Sequence, residues 1–472
     1  VLFNTIDFAI FLPIVLLLYW TVFKKSLTLQ NTFIVVVSYF FYSCWDWRFL
    51  GLIFLSSIVD YTLGYQFVKP LSQKYKKSLL FVSVFFNLGV LFTFKYFNFF
   101  ITSFTDVFSL FGTELNATSL SIILPVGISF YTFQTLSYTI DLYRGKITPT
   151  KNVIQFFAFV SFFPQLVAGP IERASHLLPQ FAKKRRFQYP QQVDGLRLIL
   201  GGLFKKMVIA DNCALMANQI FDSYATQSGS TLFVGAVFFA FQIYGDFSGY
   251  SDIAIGSSRL MGFDLMKNFN FPYLSQNMSE FWKRWHISLS TWFRDYVYIP
   301  LGGSRVSKGR LICNIFIVFL LSGLWHGANL TFVFWGAIHA VFVIPVILLH
   351  KKNGIHKPDL HVPIWRQLLN IAGTFCIVTL AWVFFRAPTL VDAFQYLEII
   401  FSSSLFTMPL VSRSALLFLL LYMFIEWLQR HREHVLDVSH ISKSMRFIIY
   451  YGVCFAIFYF AGDLQPFIYF QF

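Results

Sequence analysis

Long apolar runs separated by short polar connections recur along the whole chain. They fall at about 6–23, 31–45, 49–68, 78–103, 119–140, 195–215, 232–255, 330–349, 366–385, 414–428 and 445–462. A helix of roughly 20 apolar residues crosses the hydrocarbon core and satisfies every backbone polar group internally. The pattern therefore predicts an all-α polytopic membrane protein with about 11 to 12 crossings plus re-entrant and interfacial helices. Two further runs, 153–170 and 311–325, are expected to be re-entrant. The flanks of 153–170 are both basic, and Pro164, Gly169 and Pro170 break helices within it. The first run has its basic flank, Lys24-Lys25, behind it, the reverse of a cleavable signal, so its N-terminus is expected outside. Neither an internal repeat nor a long polar linker interrupts the pattern. One integral-membrane domain over 1–472 is expected.

Composition sharpens this picture. Hydrophobic residues make up 56% of the 472 positions and charged residues 12%, against about 25% charged in ordinary soluble domains. Soluble enzymes, coiled coils, disordered regulators and secreted disulfide scaffolds are excluded. Lys and Arg number 37 against 22 Asp and Glu, a formal charge of +15. The excess gathers in connections such as 69–77, 144–151, 183–186, 267–310 and 430–446, whereas 104–118 and 216–231 contain no Lys or Arg. Placing the basic set in the cytoplasm gives a nearly consistent alternation, and anionic headgroups account for the charge without nucleic acid. The five cysteines form no CxxC pair, so neither a disulfide framework nor a cysteine metal site is expected.

Candidate chemistry concentrates in the second half. In 264–310, Trp282, Trp285, Trp292, Tyr296 and Tyr298 alternate with Lys283, Arg284, Arg294 and Asp295. Aromatic and basic residues without a full span suit helices in the cytoplasmic interface, or the mouth of a cavity for an anionic cytosolic ligand. His326, in SGLWHGANL beside Trp325, lies between two apolar runs, where an ionisable residue points to function by default. His286, in FWKRWHISLS, fits an aromatic belt equally well, and His339 reads as a satisfied core histidine. Asp246 and Asp252, in YGDFSGYSD, could bind cations or relay protons, but pairing with a basic neighbour is the commoner fate of buried acids. The same holds for Asp141 with Arg144 and for Glu172 with Arg173.

Two long motifs, FWKRWHISLSTWFRDYVYIPLGG (281–303) and SGLWHGANLTFVFWGAIH (322–339), resemble the membrane-bound O-acyltransferase superfamily. The nearest branch holds the alginate O-acetyltransferase membrane subunit and the D-alanine-transferring membrane protein of teichoic acid synthesis. LPVGISFYTFQTLSYTIDLYRG (124–145), FFPQLVAGPIER (162–173) and YGDFSGYSDIAIG extend the likeness over nearly the whole chain. The resemblance implies a ring of helices around a central tunnel, with His326 as the essential histidine and His286 as the second conserved polar position. It implies catalytic roles for His326, as base or relay, and for His286, which shapes the donor side. Substrate contacts are expected at Trp282, Arg284, Trp285, Arg294, Asp246 and Trp325. The implied donor is acetyl-CoA or another acyl thioester, with no permanently bound cofactor and no metal. The implied partner is an extracytoplasmic hydrolase-like acyltransferase with a Ser-His-Asp site, and the implied place is the bacterial inner membrane. The expected activity is O-acetylation of a surface polysaccharide such as peptidoglycan, exopolysaccharide or capsule. The alternative within the family is D-alanyl transfer from a carrier protein. Two readings from other classes compete: a secondary transporter coupled through Asp246, Asp252 and Glu280, which the missing repeat disfavours, and a scaffold that recruits a partner through its aromatic belt.

Overall fold

A computed structural model describes residues 2–110, 124–167, 169–353 and 363–470. The described residues are helices and their connections, grouped into two compact units. The first comprises 1–196 with 254–266, the second 197–253 with 267–472. Seven helical stretches are long and apolar enough to cross a membrane, and Ile6–Thr21 is a shorter apolar helix. One of the seven, Leu27–Gln66, holds two of the predicted runs, and the rest of the shortfall against the hydropathy pattern is physical. The 195–215 run carries Lys205, Lys206 and Asp211, and Arg413–Gln429 is 17 residues long. The 119–140 run becomes the helix Ile128–Tyr143, with 119–123 outside the described residues.

In the first unit, Thr5 caps Ile6–Thr21 by accepting the Phe8 amide, with Asp7 in the first turn, where negative charge suits the helix dipole. Leu27–Asp46 and Leu50–Gln66 are joined by a tight turn at Trp47–Phe49. Ile128–Tyr143 is buried along almost its entire length. Its Thr139, with Ser83 and Asn87 of Gln73–Leu91, hydrogen-bonds the buried carboxyl of Asp60. The 153–170 run breaks at Phe162 into Val153–Ser161 and Phe163–Leu166, with Pro164 in the first turn of the second piece. Nine residues rise about 14 Å, too little to cross. Glu172 pairs with His176, an imidazole one turn on, at 2.8 Å and also accepts the Met266 amide.

In the second unit, Lys308–His326 and Leu330–Asn353 form a tight helical hairpin. Lys308–His326 has 19 residues and is long and apolar enough to cross a membrane, where 311–325 is expected to be re-entrant. Between residues 261 and 307 the described helices are short: Met278–Arg284 and Ile287–Phe293, the latter continued by the π-helical turn Arg294–Tyr298, flank a break at Trp285-His286. This stretch does not lie on a surface throughout, because Trp285, Leu289 and Trp292 are buried.

Candidate active site

Two buried histidines meet in the second unit. His286 sits at the break between its two short helices with φ of 42°, in the left-handed region that few non-glycine residues occupy. Such strain, of order 1–3 kcal/mol, persists only where surrounding contacts over-determine it. Those contacts are visible: Ile287 donates its amide to the Asn268 carbonyl at 2.9 Å, and Asn270 donates to the Arg284 carbonyl at 2.9 Å. The segment 268–270 thus clamps both sides of the break. His326 ends Lys308–His326, where Gly327 turns the chain toward the next helix. The imidazole centroids are 6.2 Å apart, and the residues are 0% and 2% exposed.

Asn268 sets the protonation of His286. The Asn268 amide donates to Ser251 Oγ at 3.1 Å, and its Oδ1 accepts from Ser288 Oγ at 2.9 Å. With the amide so oriented, the 3.0 Å contact to His286 requires Nδ1–H to donate to Asn268 Oδ1. Nε2 of neutral His286 is then the proton acceptor, and it is buried without a hydrogen-bond partner among the described residues. Burial pushes the imidazole down to about 3, so it is neutral at physiological pH.

Aromatic rings wall the pair. Trp325 lies 5.8 Å from His286 and 5.1 Å from His326, and Phe247 packs edge-on against His286 at 4.7 Å. Trp335 and Phe385 each lie 5.3 Å from His326. Tyr469 adds a phenol ring 5.6 Å from His326 and 6.4 Å from His286. Two buried imidazoles and a phenol supply a base, hydrogen-bond donors and a hydroxyl, the inventory for moving a proton during acyl transfer.

The other expected residues distribute around this centre. A cavity of about 430 Å³ is lined by Trp282, Lys283, Ile287, Arg294, Phe319 and Ser322, among others. Ile287 follows His286, and Ser322 lies one turn before His326, so an apolar chamber reaches the neighbours of both imidazoles. Lys283 and Arg294 contribute its positive charge, Arg294 also pairing with Asp295. Trp282 donates to His339 Nδ1 at 3.3 Å, and Trp335 stands between His339 and His326. Trp285 is stacked in the core between Phe281 and Trp382. Arg284 pairs with Glu280 at 2.7 Å and lines a different cavity of about 110 Å³. Asp246 and Asp252 pair with Lys206 and Lys205 at 3.0 and 2.9 Å. Glu280, Asp246 and Asp252 are therefore each engaged by a cation. Sequence reasoning did not single out Asn268 or Tyr469: a lone Asn in a loop and one Tyr among 23 carry no local signal.

A family model described as MBOAT, membrane-bound O-acyltransferase, matches residues 39–351. The chain is 38% identical over 408 residues to a probable alginate O-acetylase of Pseudomonas aeruginosa, covering 86% of this chain and 76% of that protein. It is 35% identical over 426 residues to a peptidoglycan O-acetyltransferase of Helicobacter pylori, covering 84% and 79%. A teichoic acid D-alanyltransferase of Bacillus subtilis is 30% identical over 271 residues, covering 55% and 68%.

Proposed function

The chain belongs to the membrane-bound O-acyltransferase family, and from that premise we propose that it moves an acetyl group from a cytoplasmic thioester across the bacterial inner membrane for O-acetylation of a surface polysaccharide. The observation that carries the reading is the buried His286–His326 pair, with the proton of neutral His286 held on Nδ1 by Asn268. His326 takes the proton of the attacking hydroxyl as oxygen adds to the thioester carbonyl. The tetrahedral intermediate then collapses with loss of the thiolate, which is reprotonated by the imidazolium. His286 and the 430 Å³ cavity form the donor side. Its apolar walls suit a thioester arm, and Lys283 and Arg294 suit the phosphates of a carrier such as coenzyme A. An extracytoplasmic partner with a Ser-His-Asp site places the group on the polymer.

Acetyl is favoured over D-alanyl by likeness. The acetylating relatives are matched over 86% and 84% of this chain, the D-alanyl relative over 55%. The pairing of Asp246, Asp252 and Glu280 with cations counts against a coupled transporter. The test is polysaccharide ester content in cells that lack the chromosomal copy and carry wild type or His326→Ala at matched membrane levels. Only wild type should restore esters, with acetate as the acid released by mild base. Equal restoration by His326→Ala would remove the catalytic assignment, and released alanine would replace the donor.

A further inference from the structure

We infer that Lys206 is a positioning residue of the acyl-transfer site, acting with Asp246 to hold the strap 461–469 against the two histidines. The inference rests on the acyl-transfer reading above. The strap follows the helix Lys443–Phe460, of which Ile457 is the one residue buried. That helix gives the strap little support. Contacts to the 206–212 region and to Asp246 hold it instead. Asn212 donates to the Phe460 carbonyl at 2.8 Å, and the Gly462 amide donates to the Met207 carbonyl at 3.0 Å. Lys206 Nζ donates to the Gln465 carbonyl at 3.0 Å, and Asp246 Oδ2 accepts the Ile468 amide at 2.7 Å.

The cluster and the strap complete each other. Lys206 and Asp246 are almost fully buried, and the ammonium lies 2.8 Å from Asp211 Oδ1 and 3.0 Å from Asp246 Oδ1. Its third partner is the strap carbonyl. Asp246 likewise spends one oxygen on Lys206 and the other on the strap amide. Withdrawing the strap would leave a buried cation short of an acceptor and a buried carboxylate short of a donor, which low-dielectric surroundings penalise heavily. Beyond these anchors, Phe467 packs 4.5 Å from Tyr250, and Tyr469 lies 4.5 Å from Phe247 and against both imidazoles. The ion cluster therefore fixes where the site's phenol stands.

Hydrogen exchange of the peptide covering 461–469, measured on the full chain in nanodiscs beside acyl-transfer kinetics, tests the idea. In Lys206→Met the strap should exchange about tenfold faster and kcat should fall about tenfold, with donor KM unchanged and Lys206→Arg restoring both. Ile468→Pro removes the amide that Asp246 accepts, at the start of a short helical turn that tolerates proline, and Ile468→Ala serves as the control for the buried side chain lost with it. The proline variant should reproduce the loss with the ion cluster intact, which covers the case in which Lys206→Met does not fold. Unchanged strap protection in Lys206→Met, or full kcat with the strap released, overturns the inference. A wild-type protein without acyltransferase activity would overturn the functional reading instead, and the exchange arm would still report on the strap.

Discussion

At the scale of single residues, the site depends on one amide. Asn268 Oδ1 accepts from His286 Nδ1, from Ser288 Oγ and, at 3.4 Å, from the Ser288 amide. Asn268→Leu keeps the volume but removes the acceptor, so His286 loses its fixed tautomer and orientation while the backbone bonds that clamp the break remain. Turnover should fall on the order of 100-fold, the cost of misplacing a group that positions the donor. Single-turnover kinetics with a saturating thioester donor would show it. Burial makes a second prediction at His286. The folded chain holds the imidazole at about 3, against an ordinary value of 6.5. Between these values the unfolded chain binds more protons, so folding stability is complete above about 6.5 and declines as the pH falls, by up to ~1.4 kcal/mol per unit. Melting curves from pH 7 to pH 4 should show wild type losing stability more steeply than His286→Gln. Parallel curves would show that this imidazole does not take part in the linkage.

Among the elements, the hairpin of Lys308–His326 and Leu330–Asn353 carries His326, and glycine is what lets it close. A Cβ on Gly323 would stand 2.2 Å from the Phe332 carbonyl oxygen, and one on Gly336 would stand 2.3 Å from the Phe319 oxygen. Small residues at such crossings are the means by which membrane helices approach. Gly336→Ala should separate the helices and lower stability by about 1–3 kcal/mol. Gly323→Ala, one turn from His326, should in addition reduce turnover in protein that still folds. Detergent melting beside kinetics separates the two effects. Hydropathy made the element ends legible where lipid dictates them: 49–68 became Leu50–Gln66, 366–385 became Ile364–Arg386, and 445–462 became Lys443–Phe460. His326 and His286 were legible because long motifs surround them. Two features are set by partners distant in the chain and leave no local pattern: the left-handed His286, clamped from 268–270, and the pairing of Lys206 with Asp246. In a chain with 20% aromatic residues, a ring that lines a site looks like any other ring.

For the whole molecule, charge and helix length together give an orientation. The connection 299–307 leads into Lys308 and Arg310, whereas 216–231 contains no Lys or Arg. From 228 to 299 there is one helix long enough to cross, Gly229–Leu260, with 32 residues. The helical stretches after it reach at most about 18 Å, well under the roughly 30 Å of a hydrocarbon core. The charge rule then predicts residues 223–228 and 299–307 on opposite sides of the membrane, with the basic one in the cytoplasm. In that orientation the Lys283 and Arg294 end of the cavity would face the side where thioesters are made, as the proposed donor side requires. A cysteine placed at Ser307 should react with a membrane-impermeant maleimide only in inverted vesicles, and one at Gln227 only in intact spheroplasts. Both belong in a background with Cys44 and Cys313, the exposed native thiols, changed to serine. The opposite labelling would send the cavity to the outer face, and a cytoplasmic donor could then no longer reach His286 through it.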